Sequence, residues 1–181
     1  MTPITTNWSV VTGSPCSGKT SVAIELEKRG YPVRPEFARI YFDGELAKGR
    51  TLAEICADQL ALQQTFLYEG MKLDEALDVH SSYILDRSPV DAVAHYMLYD
   101  LPYGDAWEKA KTFQYKHVFY LEKLPYSQDA VRVEDEETAA RLDKCFIKTY
   151  EMLGYTLINV PVMSIEERAD FIESYIKGTS L

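Results

Sequence analysis

Gly13-Ser14-Pro15-Cys16-Ser17-Gly18-Lys19-Thr20 sets two glycines, a lysine and a hydroxyl residue at G-x-x-x-x-G-K-[ST] spacing. Glycines at those positions let the backbone curl until successive N–H groups converge on phosphate oxygens. The lysine then reaches β- and γ-phosphates, and the threonine hydroxyl can ligate Mg2+. A helix opening at this point adds the positive end of its dipole to the same anion. The expected nucleotide-binding segment is therefore Gly13, Ser14, Pro15, Cys16, Ser17, Gly18, Lys19, Thr20 and Ser21, with ATP and Mg2+ as its ligands. Cys16 reads as a small filler rather than a nucleophile, because no histidine lies near it in sequence.

Three further places carry residues suited to phosphoryl transfer. Leu85-Asp86-Arg87-Ser88 ends an apolar run in a carboxylate that can hold Mg2+ and a guanidinium that can clamp phosphate or ribose oxygens. Asp86 could equally cap the helix begun by Ser88-Pro89. Glu36, with Arg39 three residues on, is placed to accept a proton from a substrate hydroxyl. The plainer reading of that pair is an acid at a helix start, ion-paired to Arg39. Arg132, at a loop–helix junction, can cover the γ-phosphate as a lid closes. Lys19, Glu36, Asp86, Arg87 and Arg132 are the catalytic candidates, Thr20 and Asp86 the metal ligands, and Glu36, Arg39, Arg87 and Tyr96 the substrate contacts. Tyr96, Tyr99 and Tyr103 suit either an acceptor pocket or the core. Gln59 and Gln63 suit base recognition or plain exposure, and Arg141 is a weaker lid candidate. His80, His95 and His117 lack metal-ligand spacing and receive no role.

The elements that must position these groups alternate. Strands are expected over 8–11, 31–34, 82–85, 118–121 and 155–160. Helices are expected over 19–29, 36–48, 51–80 (bent near Gly70), 90–98, 134–153 and 165–176. Short apolar runs between helices imply a mainly parallel sheet covered on both faces. The expected fold is a three-layer α/β/α sandwich with five strands, residues 1–181 forming one domain with a short lid at about 123–137. In such a sheet, ligands sit at the carboxyl ends of the strands. Gly13, Glu36, Asp86 and Glu122 all fall just past those ends.

Composition narrows the class. A net charge of −9 opposes a broad nucleic-acid footprint, which needs many exposed Lys and Arg. The acid is uneven: residues 19–50 hold seven basic and five acidic side chains, and residues 51–110 hold three and eleven. A small phosphorylated ligand fits that pattern better than a duplex. No apolar run approaches the ~20 residues of a membrane span. Cys16, Cys56 and Cys145 form neither a disulfide framework nor a zinc site, so a reducing, cytoplasmic setting is expected. A homodimer is compatible with all of this.

Only Asn7 and Asn159 are asparagines, and neither opens the Asn-Lys-x-Asp element of a GTPase. The strand ending Asp-Arg, rather than Asp-Glu, lacks the base that activates water in a mechanical ATPase. Transfer to a bound acceptor is better served than hydrolysis. The open alternatives are a nucleotide-binding regulatory module and a polynucleotide end kinase.

The phosphate loop, Gly30-Tyr31-Pro32-Val33-Arg34-Pro35-Glu36-Phe37-Ala38-Arg39, Leu85-Asp86-Arg87-Ser88, Tyr126 to Glu134 and Glu151-Met152-Leu153-Gly154-Tyr155 together carry a resemblance. Their order and spacing resemble the AAA-like P-loop domains related to the kinase part of NadR, within the nucleoside and nucleotide kinase superfamily. The likeness spans nearly the whole chain, and Pro-Glu-x-x-Arg is its more discriminating part. It implies a P-loop, nucleotide-kinase-like fold with Lys19 and Thr20 on ATP and Mg2+. Glu36 would then lie on the acceptor side, Asp86 and Arg87 near metal and acceptor, and Arg132 in the lid. Cys16, where glycine is commoner, and Ser88 depart from the pattern.

Overall fold

The computed structural model describes residues 2–124 and 136–178. Five strands form one sheet: β2 (Ser9–Thr12), β3 (Val33–Arg34), β4 (Ile84–Asp86), β6 (His117–Leu121) and β7 (Leu157–Val160), in the order β3-β4-β2-β6-β7. Every neighbouring pair is parallel, so all five carboxyl ends emerge at one edge.

Side chains alternate across a strand, and the two faces build separate cores. Val10, Leu85 and Val118 point to one face. There they meet α4 (Gln59–Glu75), α5 (Pro89–Leu98), α6 (Gly104–Ala110) and α7 (Glu136–Met152) through Met71, Val93, Ala106 and Tyr150. Val11, Ile84 and Phe119 point to the other, against α1 (Lys19–Lys28) and α8 (Ile165–Lys177) through Val22, Leu26 and Ile172. The three-layer sandwich expected from the alternating runs is the fold observed.

Two local expectations change. The stretch 51–80 is two helices, α3 (Leu52–Ile55) and α4, and the break falls at Cys56–Asp58 rather than near Gly70. Asp58 causes it: its carboxylate accepts the Ala61 N–H at 2.9 Å, so it caps a new helix instead of continuing the old one. Thr51 and Glu54 close a capping box on α3. A short parallel pair, β1 (Ile4–Thr5) with β5 (Phe113–Gln114), and helix α6 were not anticipated. Two-residue strands and a seven-residue helix are too short to show a period. Among the described residues, no helix is long and apolar enough to cross a membrane, and Cys16, Cys56 and Cys145 are free thiols.

Candidate active site

A cleft of about 540 Å³ opens at the carboxyl edge of the sheet, a size suited to a small ligand. One wall is the loop between β2 and α1. Gly13 lies at φ 134°, and a Cβ there would stand 2.6 Å from the Leu121 carbonyl oxygen, so only glycine fits. Gly18, at φ 86°, is the N-cap of α1 and has no side-chain cap. The first N–H groups of that helix are thus left for an anion.

Lys19 is 6% exposed and donates to the Ser14 carbonyl at 2.7 Å and to Ser17 Oγ at 3.3 Å. Burial, followed by the Arg87 charge, lowers it to about 8. The charge of an anionic phosphate would oppose both effects and favour the protonated form. Two buttresses hold the loop. The Ser14 hydroxyl donates to Asp143 on α7, which also accepts from the Tyr120 hydroxyl. Arg168 of α8, 1% exposed, donates to the carbonyls of Ser17 (2.6 Å), Pro161 (2.9 Å) and Glu122 (3.1 Å).

Opposite the loop's hydroxyl, Asp86 Oδ2 accepts from Thr20 Oγ1 at 2.8 Å, while Asp86 Oδ1 is buried with no hydrogen-bond partner among the described residues. Burial and nearby Glu36 raise its carboxyl. A hydroxyl and a carboxylate with a spare buried oxygen form a donor set that fits Mg2+. Asp86 does not cap the next helix. Ser88 does, in a box with Asp91, and Pro89 occupies the first turn.

Arg87 has φ 66° and turns its guanidinium into the cleft. There it pairs with Glu36 (Nε to Oε1, 2.7 Å) and Asp91 (3.4 Å), and lies 4.9 Å from the centre of the Phe146 ring. The plainer reading, a Glu36–Arg39 ion pair, gives way to a pair between Glu36 and Arg87. The helix α2 (Phe37–Ala47) begins just after Glu36 and turns Arg39 to the cleft one turn on.

Most of the anticipated residues converge here: Pro15, Cys16, Gly18, Lys19, Thr20, Ser21, Glu36, Arg39 and Arg87 all line the cleft. Tyr96 does not. It is 3% exposed within the core, because α5 turns that face toward the sheet. Tyr99 and both Gln59 and Gln63 do line it, and Gln63 is buried rather than exposed. Arg132, with most of the expected lid, lies outside the described residues. Among the described residues no cluster of metal-ligating side chains forms around a histidine or elsewhere.

The sequence reading missed the far wall, where Phe37, Phe42 and Phe66 meet edge to face. It also missed Asp91, which accepts from Thr12, from Tyr150 Oη at 2.6 Å and from Ser88 N at 2.8 Å. Arg34 and Asp74, an ion pair at 2.7 Å, escaped notice as well. Asp74 had one available signal: it continues the stripe Gln63, Leu67, Met71 at spacings of three and four, so an acid stands on a buried face.

Residues 8–168 match a family model described as an AAA domain. The chain belongs to this AAA-domain family. No curated protein sequence gives a match. Among solved structures, the chain is similar to a NadR protein in complex with NR, at TM-score 0.72 and 14% identity over 96% of this chain and 51% of that one. It is also similar to thymidylate kinase from Ehrlichia chaffeensis (TM-score 0.67, 13% identity, 96% and 100% covered). A third similar structure is deoxyadenosine kinase from M. mycoides with products bound (TM-score 0.62, 18% identity, 96% and 100% covered). At these identities the likeness establishes a shared nucleotide-kinase fold.

Proposed function

We propose that this AAA-domain protein is an ATP- and Mg2+-dependent phosphotransferase acting on a hydroxyl of a nucleoside-like small molecule in the cytoplasm. The observation that carries the reading is the Glu36–Arg87 pair at 2.7 Å, lining the same cleft as Lys19. A phosphate acceptor calls for surplus positive charge. Here the described lining residues Lys19, Arg34, Arg39 and Arg87 are matched by Glu36, Asp43, Asp74 and Asp91. A neutral hydroxyl suits that balance. The aromatic wall with Gln59 and Gln63 suits a flat ring with hydrogen-bonding edges. Similar structures with NR, dATP or dCTP bound support a nucleoside- or nucleotide-type ligand.

In this reading the loop N–H groups and Lys19 orient the triphosphate. Thr20 and Asp86 would hold Mg2+, which would neutralise charge on the phosphate oxygens. Glu36 takes the acceptor hydroxyl proton as that oxygen attacks the γ-phosphorus and the bond to the ADP oxygen breaks. Arg87 and Arg39 stabilise the charge spread over the moving phosphoryl group, and Arg132 is assigned to cover it from the lid segment.

Transfer of γ-labelled phosphate across a panel of nucleosides, nucleoside monophosphates and oligonucleotide 5′ ends tests this. At least one nucleoside is expected to accept label, and Lys19→Ala to lower that rate by roughly 10²–10³-fold. Tight nucleotide binding with no acceptor-dependent transfer would instead assign a regulatory module, and label only on oligonucleotides a polynucleotide kinase.

A further inference from the structure

Arg34 is 7% exposed, and its guanidinium reaches across to the end of the neighbouring strand β4. Nη1 donates to the carbonyl oxygens of Pro35 (3.1 Å) and Asp86 (3.2 Å), and Nη2 to that of Arg87 (2.8 Å). One planar group thus grips the carbonyls on both sides of Arg87's φ and ψ bonds, together with the residue before Glu36. On the far side, Nε lies 2.7 Å from Asp74 Oδ1, off the N–H direction, and Asp74 is fully buried on α4.

The gripped residue is strained. Arg87 is a non-glycine residue at φ 66°, a conformation that persists only where its surroundings enforce it. Its own N–H is tied to the Val11 carbonyl at 3.1 Å, and its two flanking carbonyls to Arg34. That backbone turn sends Asp86 toward Thr20 and Arg87 toward Glu36.

A pair buried this deeply is a poor source of stability, because desolvation offsets the attraction. Among the described residues Asp74 Oδ2 has no hydrogen-bond partner, and burial raises the Asp74 carboxyl. Geometry is what the pair supplies. We propose that Arg34 and Asp74 are positioning residues for phosphoryl transfer: Arg34 holds the strained Arg87 turn, and Asp74 orients Arg34. The kinetic part of this assignment rests on the proposed transferase reading, and the structural part stands apart from it.

Arg34→Lys separates charge from fork. A lysine keeps a cation beside Asp74 but cannot grip three carbonyls from one plane. Its kcat is expected to fall roughly 10- to 100-fold, while Kd for ATP without Mg2+ stays within about twofold of wild type because the phosphate loop is untouched. Asp74→Asn removes the charge but leaves the contacts of Arg34 to the three carbonyls in place, and is expected to retain more turnover than Arg34→Lys. In a crystal structure of Arg34→Lys, Arg87 should leave positive φ and lose contact with Glu36. Wild-type kcat in Arg34→Lys overturns the assignment, as does an Arg87 still left-handed and paired with Glu36. If Arg34→Lys does not fold, Asp74→Asn carries both measurements, and wild-type kcat or an unchanged Arg87 turn in that variant overturns the assignment. A wild-type protein that transfers phosphate to no acceptor ends the transferase reading, and the variant crystal structure then decides the positioning role alone.

Discussion

Glu36 sits where two demands on a carboxylate meet. As the proposed base it has to be free to take a proton, and it has to point at the acceptor. Arg87 at 2.7 Å fixes its direction. Glu36→Gln keeps the shape and removes the base, so kcat is expected to fall by about 10²–10⁴-fold with ATP affinity little changed. Steady-state kinetics beside nucleotide titration checks this, and a matching loss in ATP affinity would move Glu36 out of the acceptor site. The candidacy of Glu36 was readable from Pro-Glu-x-x-Arg, but its partner was not. Arg39 is near in sequence, whereas Arg87 is near only because β3 and β4 are neighbours in the sheet.

Helix α5 joins the site to the core. Its first turn is boxed by Ser88 and Asp91, and Asp91 ties it to Tyr150 of α7 at 2.6 Å. One turn on, His95 bonds through Nδ1 to the Asp91 carbonyl at 2.9 Å and meets the Phe146 ring edge to face. Burial and the Arg87 charge push His95 from its ordinary 6.5 down to about 4. Between those values the unfolded chain binds a proton that the folded chain refuses. Stability is therefore expected to fall as pH drops through that window, by on the order of 2 kcal/mol after allowing for partial exposure to the cleft. Urea midpoints from pH 7 to 4 for wild type and His95→Gln check the sign. The variant should show the shallower acid limb, and superimposed limbs would rule the residue out as its source. The start of α5 was legible, because Ser-Pro is a local signal. The break between α3 and α4 was less so, since Asp58 could as well have been an exposed helical acid.

At the scale of the whole molecule, an acidic chain carries its phosphate-binding loop and three arginines at one edge of the sheet. Binding energy delivered there should be felt throughout, because the loop is tied to α7 by Asp143 and to α8 by Arg168. Mg-ATP at about 100 times its Kd is expected to stabilise the fold by ~2.7 kcal/mol. For a chain of this length that is a rise in Tm of roughly 5–10 °C. Thermal melts with and without Mg-ATP test it, with Lys19→Ala expected to show little shift. An equal shift in that variant would mean that the nucleotide binds elsewhere.

Contiguous features were legible in the residue order alone: the phosphate loop, the Asp-Arg strand end, the Pro-Glu turn, and the alternation of short apolar runs with helices. Each depends on neighbours a few positions apart, so backbone periodicity is enough to place it. Pairings between distant segments were decided by the tertiary structure. Arg34 with Asp74, Asp91 with Tyr150, and Arg168 with Ser17 each join two elements brought together by sheet order and helix packing. Burial decided the rest. It placed Tyr96 in the core, although its sequence spacing equally suited a pocket wall, and it put Gln63 in the cleft, because the period of a helix names a face but not what that face meets.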